Sequence, residues 1–175
     1  MVAFEQEELT FHNERGEKLV GLLELHPIEK KKVVIICHGM LGHKSYLFQK
    51  NLATSLPFTT FRHDFRGAGE SEPVPPAKLP MHLYADYNAD VEDLRVVVKE
   101  LQSQGFEVIG LVGHSRGANV VLMYVSKFNA PEDIIPHVVS ISARHNMTQG
   151  HLKHTMDDLH NLIIHGSFQW HFKYR

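Results

Sequence analysis

The residues best placed to do chemistry are Gly113-His114-Ser115-Arg116-Gly117, a G-x-S-x-G pentapeptide. A serine in this pattern is a candidate nucleophile for acyl transfer, because a turn tight enough to expose its hydroxyl leaves no room for a Cβ on either side. The same turn aims the first N–H groups of a following helix at the place where negative charge develops on the attacked oxygen. The pentapeptide alone is a weak signal, and its plain alternative is a glycine-rich turn with an incidental serine. Context strengthens it. Phe106 to Val112 reads as a buried strand, and Ala118, Val121, Leu122, Val125 and Phe128 read as the buried face of a helix, with the serine on the turn between them.

The elements that would position this turn follow from periodicity. Val2 to His12 and Lys18 to His26 alternate as a half-buried hairpin does, joined at Asn13-Glu14-Arg15-Gly16-Glu17. Val33 to Cys37 is a continuous β-branched run of the kind buried on both faces of a parallel sheet, and it ends at His38-Gly39. Ser45 can cap a helix carrying Phe48, Leu52 and Leu56, with Pro57 as its stop. Thr59 to Phe65 is a further strand. After it, Arg66 to Ser71 and Pro73, Pro75, Pro76 and Pro80 make a loop. Tyr87, Val91, Leu94, Val98 and Leu101 repeat at helical spacing, with Asn88 or Asp90 as the cap and Gly105 at the end. Val138 to Ser142 reads as the last buried strand. A hairpin followed by alternating strands and helices predicts an α/β fold, its sheet mostly parallel and covered on both faces.

Composition narrows the function classes. With 175 residues, 43% hydrophobic and 22% charged, the chain can bury a core, and a net charge of −2 without a basic stripe argues against a nucleic-acid partner. The one cysteine, Cys37, excludes an internal disulfide framework. No stretch approaches the roughly 18 apolar residues of a membrane span, and the start lacks the pattern of a secretory leader, so the expectation is a soluble, cytoplasmic protein. Of 14 histidines, His137, His145, His151, His154, His160, His165 and His171 lie late in the chain, but their irregular spacing argues against a metal site. No cofactor is expected. Neither G-x-G-x-x-G nor G-x-x-x-x-G-K-[ST] follows the first buried strand, which disfavours dinucleotide or phosphate binding.

Three segments in series, Val33 to Gly39 (VVIICHG), Arg62 to Ser71 (RHDFRGAGES) and Val108 to Gly117 (VIGLVGHSRG), resemble the α/β-hydrolase superfamily, in its serine-aminopeptidase-like and lipase-like branch. The resemblance runs from about Glu8 to Asn146. It implies an α/β-hydrolase fold with an N-terminal antiparallel hairpin, and a serine hydrolase acting on an ester, thioester or amide, with a small molecule or short peptide as substrate. Ser115 would be the nucleophile, and the main-chain N–H groups of Met40 and Arg116 would form the oxyanion hole, so that the identities of those two side chains carry little weight. His38, Gly39, Gly113, His114 and Gly117 would build the elbow and its adjoining loop, the histidines by packing and hydrogen bonding rather than as the base. Asp64 and Arg66 would be structural.

In this superfamily the acid and the histidine follow the serine on later strands. Neither is identified here. The expectation is therefore a core of residues 1–147, truncated after the sixth strand, and an irregular tail of residues 148–175 in place of the cap and C-terminal strands. Asp157 or Asp158 with His160, or His165 after Leu162-Ile163-Ile164, are the conceivable replacements, although the spacing leaves no room for a crossover helix. The competing expectation is a noncatalytic fragment or a pseudo-hydrolase that binds a ligand or partner. An uncovered last strand would present unpaired backbone groups and invite self-association.

Overall fold

The computed structural model of the protein describes residues 4–73, 86–128 and 130–144. In chain order the elements are β1 (Glu5–His12), β2 (Lys18–Leu25), β3 (Lys32–Cys37), α1 (Gln49–Ser55), β4 (Thr59–His63), α2 (Tyr87–Ser103), β5 (Glu107–His114), α3 (Arg116–Lys127), a 3-10 turn (Pro131–Asp133) and β6 (His137–Ile141). They form one six-stranded sheet in the order β1-β2-β4-β3-β5-β6. The hairpin β1–β2 and the pair β2–β4 are antiparallel, and the remaining pairs are parallel.

The strand order reverses direction at β3. From β3 the chain passes through α1 to β4 on one side; from β4 it passes through α2 to β5 on the other side of β3. Right-handed crossovers in opposite directions place their helices on opposite faces. The core divides accordingly. Val33, Ile35 and Cys37 of β3 pack with Leu94, Val98 and Val121 of α2 and α3, while Val34 and Ile36 pack with Ala53 of α1. Every residue of β3 from Val33 to Cys37 is buried, because both faces of the strand are covered.

Four local expectations need correction. Ser45 does not cap α1: the helix begins at Gln49 with Phe48 before it, and Ser45 Oγ instead lies 3.4 Å from Arg62 Nη1. Leu47 at φ 53° delays the helix. The cap of α2 is Asp86, whose Oδ1 accepts from the N–H groups of Asn88 and Ala89, and Asp90 is turned inward instead. On α3, Leu122 is 44% exposed, and Val120 and Tyr124 are buried in its stead, since the helix packs against α2 as well as the sheet. Finally, β6 is not a buried strand. Among the described residues it pairs with β5 alone, and Val139 is 49% exposed.

Gly21 in β2 accommodates an aromatic ring. A Cβ there would sit 2.1 Å from Phe61 Cζ, and Phe61 is itself buried against Phe11, with ring centroids 5.7 Å apart. Gly21→Ala should therefore lower stability by about 1–3 kcal/mol, the usual cost of overpacking. Urea denaturation of the variant against the parent chain measures it, and an unchanged midpoint would contradict this packing.

Candidate active site

β5 ends at His114 and α3 begins at Arg116, so Ser115 alone turns the chain from sheet to helix. It does so at φ 52° and ψ −111°, a conformation that costs a non-glycine residue about 1–3 kcal/mol. The surroundings hold it there. Ser115 N–H donates to the Ile141 carbonyl of β6 at 2.9 Å, and the Ser115 carbonyl accepts from the N–H groups of Ala118 and Asn119 at 3.1 and 3.3 Å.

The flanking glycines answer to contact distances. A Cβ on Gly113 would lie 2.2 Å from the Gly117 carbonyl oxygen, and one on Gly117 would lie 2.5 Å from the Cys37 carbonyl oxygen. Gly117 N–H donates to the His38 carbonyl at 3.1 Å. The first turn of α3 is thus laid against the end of β3, and the two loops that leave β3 and β5 meet at the carboxyl edge of the sheet. That edge, at the reversal in strand order, is where open α/β sheets form their binding crevice. Ser115 is half-buried there. Among the described residues, Ser115 Oγ and the N–H groups of Met40 and Arg116 have no hydrogen-bond partner.

His38 is fully buried, and both of its nitrogens are occupied. Nε2 accepts from Phe65 N–H at 3.0 Å, which leaves Nδ1 to carry the proton and donate to the Gly39 carbonyl at 2.7 Å. Burial lowers its pKa to about 4. It is a neutral strut and not a base for Ser115. His114 packs edge-on against Phe48 with ring centroids 5.4 Å apart, and its Nδ1 closes over Gly39, 3.1 Å from where a Cβ would be. Burial likewise lowers the pKa of His63 to about 4 and drives the Cys37 thiol up out of its reactive range.

The loop that carries Met40 is clamped at Lys44. Asp64 Oδ1 accepts Lys44 N–H at 2.5 Å, Asp64 Oδ2 pairs with Lys44 Nζ at 2.9 Å, and Arg62 Nη1 donates to the Lys44 carbonyl at 2.5 Å. Arg62 is in turn paired with Glu24 at 2.9 Å inside the sheet. Lys44 also pairs with Glu70. Asp64 takes Glu70 N–H at 3.0 Å, and Gly69 at φ 54° approaches it so closely that a Cβ would meet Oδ2 at 2.2 Å. Arg66 is bound to Asp93 of α2 through Nε at 2.6 Å and Nη2 at 2.5 Å. Both Asp64 and Arg66 are consumed by scaffolding.

One expectation about the site is corrected. The Arg116 side chain is not incidental: it is 3% exposed and paired with Asp90 of α2. The overlooked signal lay in α2, where Asp90 and Asp93 fall on the same helical face as Val91, Leu94 and Val98. The candidate replacements Asp157, Asp158, His160 and His165 and the late histidines from His145 onward lie outside the described residues, as does the segment 148–175. Among the described residues, no group of three His, Cys, Asp or Glu side chains is gathered to hold a metal ion, and no helix is long and apolar enough to cross a membrane.

A family model described as the alpha/beta hydrolase fold matches residues 32–171. The chain belongs to the alpha/beta hydrolase fold family. Solved structures agree on the fold. An esterase of Pyrococcus furiosus, Pf2001, is 22% identical with a TM-score of 0.65 over 80% of this chain and 51% of its own. An alpha-beta serine hydrolase homologue from Coxiella burnetii is 23% identical with a TM-score of 0.54, over 71% and 59%. A proline iminopeptidase-related protein from Thermus thermophilus is 25% identical with a TM-score of 0.56, over 71% and 41%. The chain thus spans about half the length of the hydrolase structures it matches. No curated protein matches the sequence.

Two outcomes follow from the geometry of this turn and its surroundings. Ser115→Gly removes the strain at φ 52° and should raise thermal stability by about 1 kcal/mol once the extra chain entropy of glycine is counted. A lower Tm would show that the turn is unstrained. Acid acts on the buried imidazoles. Their stability contribution is complete above the ordinary value of 6.5 and is lost as pH falls towards about 4, at about 3 kcal/mol per histidine. Asp90, pushed up by burial to about 6, acts in the opposite sense, favouring the folded state as pH drops below that value. Two histidines outweigh one aspartate, so net stability should fall between pH 7 and pH 4. In His63→Asn the loss over that range should shrink by about 3 kcal/mol; an equal loss in both chains would rule His63 out.

Proposed function

We propose that the chain carries the nucleophile and oxyanion-binding half of a serine hydrolase that acts on an ester, thioester or amide of a small molecule or short peptide. The observation that supports it best is the conformation of Ser115. A residue held at φ 52° and ψ −111° between two glycines that tolerate no Cβ is strained at a site where strain serves to present a hydroxyl. Met40 and Arg116 supply the main-chain donors in this reading, and both N–H groups are unengaged among the described residues. Such donors alone sustain part of the rate enhancement of a serine hydrolase, because they stabilise the charge that develops on the carbonyl oxygen.

In the proposed reaction Ser115 Oγ adds to the carbonyl carbon as its proton passes to a base, the C=O π electrons move onto the oxygen facing the two N–H groups, and collapse of that oxyanion expels the alcohol, thiol or amine, which takes up the proton. His38 is unsuited to that role, with both ring nitrogens bound and its charge disfavoured by burial. The esterase and serine hydrolase among the similar structures agree with an acyl-transfer reading. Specificity rests on residues beyond the elbow.

The decisive experiment is labelling of the 175-residue chain with a fluorophosphonate, followed by peptide mapping. Stoichiometric modification at Ser115, absent in Ser115→Ala, is the expected result. A chain that stays unlabelled while folded would sink the catalytic reading and leave a noncatalytic binding protein.

A further inference from the structure

Arg116 is the first residue of α3, and its guanidinium lies inside the molecule. Nε donates to Asp90 Oδ2 at 2.8 Å, Nη2 lies 2.5 Å from the same oxygen as an ion-pair contact without a hydrogen bond, and the guanidinium carbon lies 5.3 Å from the centroid of the Phe65 ring. Asp90 comes from the first turn of α2 and is itself fully buried. Its Oδ1 has no partner among the described residues. The neighbouring Asp93 is taken by Arg66, so each buried arginine has its own carboxylate.

A pair in this position is a poor means of holding two helices together. Desolvation offsets most of the attraction, and apolar side chains of similar volume commonly do as well or better. A cation in the first turn of a helix also opposes the helix dipole. What the pair adds is direction, since a guanidinium held against a carboxylate has a narrow geometry that an aliphatic contact lacks. The residue so fixed is the one directly after Ser115.

We infer that Asp90 is a positioning residue for oxyanion stabilisation: through the Arg116 side chain it holds the first N–H of α3 in place relative to Ser115. The inference rests on the serine-hydrolase reading above, and it deepens that reading by naming a group that touches neither nucleophile nor substrate. Phe65 completes the seat. The ring covered by the guanidinium also packs edge-on against His38, with centroids 4.8 Å apart, so the same aromatic supports both loops that carry the proposed donors.

Asp90→Asn keeps the shape and removes the charge. In the full chain its kinact toward a fluorophosphonate should fall about 10- to 100-fold, the scale on which small misplacements act, with KI unchanged. Loss of fold alone would not separate those two constants. Arg116→Lys keeps the charge but not the Nε–H donor that meets Asp90 Oδ2 and should show the same loss. The Ser115 and Gly117 amide resonances in a 1H–15N spectrum should move in both variants while those of β1 stay in place. An unchanged kinact in folded Asp90→Asn overturns the inference. Should Asp90→Asn fail to fold, the double variant Asp90→Leu/Arg116→Met, which leaves no charge buried, replaces it with the same expected loss, and an unchanged kinact there overturns the inference equally. If the parent chain takes no label, the serine-hydrolase reading fails by itself, and the spectrum then decides: unmoved Ser115 and Gly117 resonances refute the positioning, and displaced ones support it.

Discussion

The approach of α3 to the end of β3 is a contact between backbones, and little can be changed around it. Gly117 donates to the His38 carbonyl and lies where any side chain would strike the Cys37 carbonyl. For the helix to come so near, the chain must leave β5 within a single residue, and that residue is forced out of the ordinary conformations. The strain at Ser115, the glycine at 113 and the meeting of the β3 and β5 loops are therefore one constraint seen from three sides. The sheet order supplies the other requirement. Because β3 and β5 are neighbours in register, with Cys37 opposite Gly113, their following loops start side by side, and the opposed crossovers carry α1 and α3 to different faces, leaving the edge above them open.

Much of this was legible in the sequence because it depends on residue types with few physical alternatives. A glycine before and after a serine, a β-branched run ahead of it and an amphipathic stretch behind it leave little room for another local structure. The hairpin and all six strands were readable from alternation and apolar runs, their ends differing from the observed ones by a few residues. Helix starts were harder. Asp86 caps α2 where Asn88 and Asp90 looked equally able: Asn88 already lies within the helix and gives its N–H to Asp86, and Asp90 is drawn inward by Arg116. Leu47 shows the same limit, since nothing in its type announces a left-handed backbone. The burial of α3 was misplaced by part of a turn, because the face a helix hides depends on its second neighbour, here α2, which periodicity alone does not reveal.

The buried charges were the least legible feature, and they are organised around the site. Arg62 with Glu24, Lys44 with Asp64, Arg66 with Asp93 and Arg116 with Asp90 all lie beneath the carboxyl edge, each with at least one member almost inaccessible. In sequence these read as a charged residue within a strand or a carboxylate on the wrong side of a helix, patterns that periodicity analysis counts as noise. Their energetics argue against a role in bulk stability. Four such pairs would contribute little beyond what hydrophobic side chains could provide, and each leaves a costly orphan if one member is lost.

Geometry gives a more coherent account of them. Three of the four act on the segments that bear the proposed oxyanion donors: the Asp64 and Arg62 groups fix Lys44, four residues after Met40, and Asp90 fixes Arg116 itself. The other face of the same scaffold is His38, whose neutral imidazole joins the β3 loop to Phe65 N–H. Main-chain donors cannot be aimed by choosing their own side chains for chemistry, since every residue offers the same N–H. They are aimed by what holds the backbone on either side. A site that relies on backbone N–H groups therefore shifts its sequence requirements outward, to buried ions and small residues one layer away, and here these are Gly113, Gly117 and the buried pairs around them.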